Sequence, residues 1–222
     1  MPDKDWATKL MIMGWDLFAL RYNDIAFVID LFHLRKWRKL MWTKVEGTNI
    51  LEVGVGTGIN FAYYPAGDEI TAIDFSEQML KRAKKKANKQ NLKVNLQLMD
   101  VQQLDFADNT FDTVVGTLVL LVVPKPVQGI IEVQRVCKPG GKVIFLEANA
   151  IPLLRWRLKI INPLIVRTFG VDAARGPLNT VAESDLTVEK VTSIWPGLFK
   201  LIEARKKIPP QCSARRHEAT GI

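Results

Sequence analysis

The densest chemistry in this chain lies in residues 50–58, ILEVGVGTG, where an apolar run carries a carboxylate, Glu52, two residues before glycines at Gly54, Gly56 and Gly58. Glycine lets the main chain turn sharply and lets a ligand approach bare amides where a helix begins. A loop of this kind could hold a dinucleotide, but that pattern needs a further glycine three residues after Gly56, and Ile59 stands there. Negative charge from Glu52 also suits a cationic ligand better than a pyrophosphate. Two more acids close apolar runs further on, Asp74 and Asp100. A carboxylate at Asp74 can accept from both hydroxyls of a ribose, and one at Asp100 can accept from an adenine amino group beside the amide of Val101. S-adenosylmethionine (SAM), with its sulfonium and ammonium, answers that set.

Such acids converge only if the runs that carry them are parallel neighbours. Short apolar runs at 49–53, 69–74, 94–99, 112–118 and 142–147 read as strands, with helical stretches at 58–64, 76–90 and 126–137 as crossovers. The fold class is therefore α/β, a Rossmann-like, doubly wound, mostly parallel sheet with helices on both faces. Lys138, Pro139, Gly140 and Gly141 end the last crossover and turn the chain into the fifth strand. Beyond it, 151–169 and 185–194 read as helices and 198–205 as a strand. Ahead of the sheet, Phe18, Tyr22, Ile25, Ile29 and Phe32 step at helical spacing. Residues 1–45 are thus an N-terminal helical extension or substrate cap, 46–208 the binding domain and 209–222 a basic tail.

Composition narrows the partners. Hydrophobic residues form 48% and charged residues 24% of the 222, which suits a single globular domain. No apolar stretch is long enough to span a membrane, no secretory leader is visible, and Cys137 and Cys212 read as free thiols, so a cytoplasmic place is expected. There is no metal-ligand spacing. The net charge of +8 favours anionic partners. Much of the excess lies in 81–93, where a solvated helix face would look the same, so nucleic acid is not the favoured partner. Arg35, Lys36, Arg38 and Lys39 interleave with Trp37, Met41 and Trp42, and RWRLK stands at 155–159. These are side chains that an anionic membrane surface would hold from the cytoplasmic face. No obligate protein partner is indicated.

Four segments, ILEVGVGTG, ITAIDFSEQML, LMDVQQLDFADNTFDTVVGTLVL and EVQRVCKPGGKVIFLE, stand in the order and at the spacing of a known family. The chain resembles the class I SAM-dependent methyltransferases, and among them the methyltransferase type 11 group. The resemblance implies that Glu52, Gly54, Gly56, Gly58 and Asn60 surround the methionine part of SAM. It implies Asp74 on the ribose, Phe75 and Met79 on the adenine, Asp100 with Val101 at its edge, and Thr117 under the methionyl group. Tyr22 in ALRYND resembles the family's A-x-x-Y-D element with one asparagine inserted. A clear seventh strand is missing after Arg205.

Each residue also has a plainer reading. The glycines could serve only a strand-to-helix turn; Asp74 could cap a helix, although Ser76 offers a better capping oxygen; Asp100 could be a turn residue. His33 and His217 are the only histidines, and neither is a candidate base. Asp112 is expected to hydrogen-bond locally. Methyl transfer from a sulfonium needs alignment more than a base, which agrees with the lack of any triad. The acceptor is expected to be small or lipophilic, first a phospholipid amine of the phosphatidylethanolamine type, with a thiol or a quinone carbon as alternatives. A non-catalytic SAM-binding or RNA-binding module is the alternative of another class.

Overall fold

A computed structural model describes residues 34–149, 176–195 and 197–209. Helix α1 (Arg35–Trp42) leads into strand β1 (Asn49–Val53), a 3-10 turn at Ile59–Tyr63, β2 (Glu69–Asp74), α2 (Glu77–Lys89), β3 (Asn95–Leu98) and β4 (Phe111–Thr117). Helix α3 (Pro126–Val136), β5 (Cys137–Ala148), α4 (Pro177–Ala182), β6 (Leu186–Ile194) and β7 (Phe199–Lys206) follow. The sheet runs β3-β2-β1-β4-β5-β7-β6. The first five strands are parallel, while β7 runs antiparallel to β5 and β6 antiparallel to β7. Strand order reverses between β1 and β4, so the crevice for a ligand opens above their carboxyl ends.

The central parallel strands β1, β4 and β5 are largely buried and mostly apolar, as their position requires, whereas the edge strand β3 is not. On one face Val53, Val114, Val143 and Phe145 join Ile130, Val133 and Val136 of α3. On the other, Ile50, Val115, Ile144 and Leu146 meet Leu34, Met41 and Trp42 at α1. Helix α2 begins at Ser76, whose hydroxyl accepts from the Met79 amide at 3.2 Å. Its buried Met79, Ala83 and Ala87 recur every four residues and turn Lys81, Lys84, Lys85 and Lys89 outward, while Lys86 reaches back to donate to the Gly58 carbonyl at 2.7 Å. The basic run is thus a helix face, with small residues letting α2 lie close on the sheet.

One sequence expectation is overturned. Residues 185–194 are not a helix but strand β6, and with it the sheet has seven strands. The register slips between Val188 and Lys190, leaving Glu189 as an extra residue. A bulge breaks the two-residue alternation by which a strand is recognised, so Val188, Val191 and Ile194 fall three residues apart, a helical interval. The missing strand therefore precedes β7 instead of following it. Strand β5 also starts earlier than expected, at Cys137, because the Lys138–Gly141 segment is carried along as an irregularity between Phe111 and Thr113 of β4. Tyr22, the helical pattern before residue 34, the 151–169 segment and the tail from residue 210 lie outside the described residues, as do both histidines and Cys212.

Candidate cofactor site

The loop after β1 carries Gly54, Gly56 and Gly58 at φ 69°, 55° and 76°, a left-handed backbone that disfavours any side chain. A Cβ on Gly54 would stand 2.6 Å from Cγ2 of Val119, so the wall opposite packs directly on this residue. A Cβ on Gly56 would meet nothing within 4 Å. Main chain therefore faces open space there. The Gly56 amide donates to Oδ2 of Asp74 at 2.8 Å, and the Ser76 amide donates to Oδ1 at 2.9 Å. Asp74 thus ties the glycine loop to the start of α2.

A cleft opens at this point. Gly54, Gly56, Asp74, Phe75, Met79, Val101 and Thr117, all named from the sequence, line it. Ile73, Ser76, Met99, Leu118, Val119, Val122 and Val123 complete the wall. The last four belong to GTLVLLVV, and nothing in an apolar type separates a cleft wall from core in the sequence alone.

Glu52, Gly58, Asn60 and Asp100 stand elsewhere. Glu52 is fully buried behind the loop, where Oε2 accepts from the Tyr64 hydroxyl and Oε1 from the Asn60 amide group. That amide group also donates to Thr117 Oγ1 at 3.1 Å, while Asn60 Oδ1 accepts from Arg38 at 2.9 Å. Burial pushes the Glu52 carboxyl up to about 7, against the pull of the Tyr64 and Asn60 hydrogen bonds and the Arg38 charge. Burial and Glu52 together hold the Tyr64 hydroxyl well above its ordinary value. Gly58 covers the Phe61 ring. Asp100 accepts from the amide and side chain of Gln102, which fixes the turn that presents Val101 to the cleft. Asp112 accepts from the amides of Thr48 and Asn49 and pairs with Lys138 far from the cleft.

Arg38, Tyr64 and Glu147 are polar residues that the sequence reading did not single out for the site. Arg38 lay within a basic run that masked it. Glu147 had a legible signal: a lone carboxylate closing an otherwise apolar strand, VIFLE.

Comparison with known proteins agrees with this geometry. Residues 51–145 match the family described as "Methyltransferase domain". A phosphatidylethanolamine N-methyltransferase of Cereibacter sphaeroides is 44% identical over 168 residues, 73% of this chain and 82% of that protein. A demethylmenaquinone methyltransferase of Renibacterium salmoninarum is 34% identical over 137 residues, 60% of this chain and 56% of that protein, so the chain spans little over half its length. Among solved structures, a geranyl diphosphate methyltransferase in complex with SAM superposes with TM-score 0.64 at 12% identity, covering 77% of this chain and 84% of that one. A SAM-dependent methyltransferase from Aquifex aeolicus gives 0.57 at 22%, covering 81% and 93%; both likenesses concern the fold. This chain belongs to the SAM-dependent methyltransferases, and SAM is its cofactor.

Proposed function

We propose that this enzyme methylates the amine of a phospholipid of the phosphatidylethanolamine type. The observation that carries the reading is the 44% identity to a phosphatidylethanolamine N-methyltransferase, sustained over 82% of that protein. The cleft agrees chemically, since Leu118, Val119, Val122 and Val123 offer an apolar wall beside the cofactor loop. In this reading Asp74 holds the ribose hydroxyls at the edge of the cleft. Phe75, Met79, Met99 and Val101 enclose the adenine, and the bare main chain at Gly54 and Gly56, with Thr117, flanks the methionine part. Glu52 and Asn60 act from behind, bracing the loop and lending negative potential.

When bound, SAM would supply an electrophilic methyl on sulfur for the amine nitrogen. The chain's part is to align the two and keep water out. An amine sheds its proton in water at modest cost, so no dedicated base is required.

The acceptor is a membrane component, and the proposal includes contact with an anionic bilayer. Lys36 and Lys39 are exposed on α1, and Lys36 lies 5.4 Å from the Trp37 ring centroid, a basic and aromatic surface of interfacial type. No helix among the described residues is long and apolar enough to cross a membrane. Sedimentation with anionic liposomes at low salt is the expected outcome; recovery wholly in the supernatant would remove membrane contact from the proposal.

A second reading, methyl transfer to a quinone carbon, is favoured by the demethylmenaquinone methyltransferase relatives at 34% identity. Methyl-labelled SAM offered in parallel to phosphatidylethanolamine vesicles, a demethylated quinol, a small thiol and RNA separates these. Label is expected in phospholipid; label confined to another arm transfers the assignment to that acceptor class.

A further inference from the structure

Strand β5 ends in a carboxyl that its surroundings do not ask for. Glu147 follows Val143 and Phe145 on one face, both in the apolar cluster under α3, and is itself fully buried. A polar group in such a place is costly unless it satisfies partners that would otherwise be left bare. Here the partners are two consecutive amides: Val119 and Leu120 donate to Oε1 at 2.8 and 3.1 Å. The other oxygen, Oε2, has no hydrogen-bond partner. The carboxyl is therefore devoted to one turn.

That turn needs holding. Leu118 sits at φ 58°, a left-handed conformation that a residue with a Cβ keeps only where its surroundings impose it. Its amide is held by the Leu146 carbonyl at 2.9 Å, and the Val122 and Val123 amides fold back onto the Val119 carbonyl. Val119 in turn packs on Gly54, close enough to exclude a Cβ there, and Leu118, Val119, Val122 and Val123 wall the cleft. A continuous path thus runs from the Glu147 carboxyl through the Val119 amide to the first glycine of the cofactor loop.

We infer that Glu147 is a positioning residue for SAM: by clamping the amides of Val119 and Leu120 it fixes the wall opposite the glycine loop and so sets cofactor affinity. It acts through the turn and does not touch the reacting atoms. A leucine of similar size would fill the space yet remove the carboxylate oxygen that both amides donate to, whereas a glutamine keeps one carbonyl oxygen for them.

Calorimetry with S-adenosylhomocysteine on the full chain tests this without relying on turnover. Glu147→Leu is expected to weaken binding about tenfold or more, and Glu147→Gln to recover most of that loss. Amide hydrogen exchange should quicken at 119–120 in Glu147→Leu and not in Glu147→Gln. Wild-type affinity in a folded Glu147→Leu overturns the inference, as does an equal loss in both variants. Should Glu147→Leu not fold, Val119→Ala decides: severalfold weaker binding supports the clamped turn as the wall, and unchanged binding overturns it.

Discussion

The two ends of the parallel strands treat charge in opposite ways. At the amino ends acids and bases meet in pairs: Lys142 reaches Glu46 at 3.0 Å and Glu203 at 3.6 Å, Lys44 reaches Glu203 at 2.9 Å, and Arg205 bridges Glu46 and Glu189. Hydrogen bonds from Arg205 and Lys142 hold Glu46 at about 2, and Lys138 lowers Asp112. At the carboxyl ends, Glu52 and Glu147 are sealed from water, and burial raises them to about 7 and about 8. One rim is neutralised by the protein itself; the other keeps acids that a cationic ligand would favour in their ionised form. The edge where an open α/β sheet binds ligands is thus the edge where the chain tolerates costly carboxyls.

The largest blow to the binding rim should come from Gly54→Ala. Left-handed strain and the 2.6 Å clash with Val119 together should cost about 3 kcal/mol of unfolding free energy, read from denaturant midpoints. Gly56→Ala, with open space at its Cβ, should cost only about 1–2 kcal/mol of stability while weakening SAM binding. Equal losses at the two positions would show that Val119 does not press on the loop.

Next in size, Asp74→Ala removes the acceptor of two loop amides and of the proposed ribose contacts. Roughly 100-fold weaker SAM binding is expected, about 2.7 kcal/mol, from charge-assisted hydrogen bonds of this kind. An unchanged dissociation constant in calorimetry would disconnect the cleft from the cofactor.

The pH response should separate the two rims. Glu52 and Glu147 have folded values above the ordinary 4.5, so between there and about 8 the folded protein binds more protons than the unfolded chain. Their contribution to stability therefore falls as pH rises through that window and is level above it. Glu46 has the opposite sign: its contribution is present above 4.5 and is lost as pH falls toward 2. Urea midpoints of the ligand-free protein should show the alkaline decline, and Glu147→Gln, which cannot ionise, should flatten its upper part. A decline identical in that variant would place its cause elsewhere.

The smallest effect is expected at the paired rim. Arg205→Ala exposes ion pairs already half in water, so screening should keep the loss near or below about 1 kcal/mol, with SAM affinity unmoved. A fall in affinity there would show that the two ends are coupled.

Much of the cleft lining was legible because its residues are set by backbone demands. A glycine loop, an acid closing β2 and a capped helix at Ser76 have fixed local geometry, and seven of the named residues do line the cleft. What escaped was of two kinds. Apolar wall residues such as Val119 and Val122 differ from core only in what lies beyond them. Strand β6 was hidden by its bulge at Glu189, where one inserted residue shifts every later side chain to the other face.

By itself, the sequence determined the alternation of strands and crossovers, the glycine loop and the placing of Asp74, because local periodicity and backbone conformation depend on neighbours in the chain. Only the tertiary structure decided that Glu52 lies behind the loop with Asn60 and Tyr64, that Asp100 serves its own turn, and that Glu147 grips amides 27 and 28 residues away. Burial and hydrogen-bond partners are properties of distant segments brought together, and those properties settle what a carboxylate does.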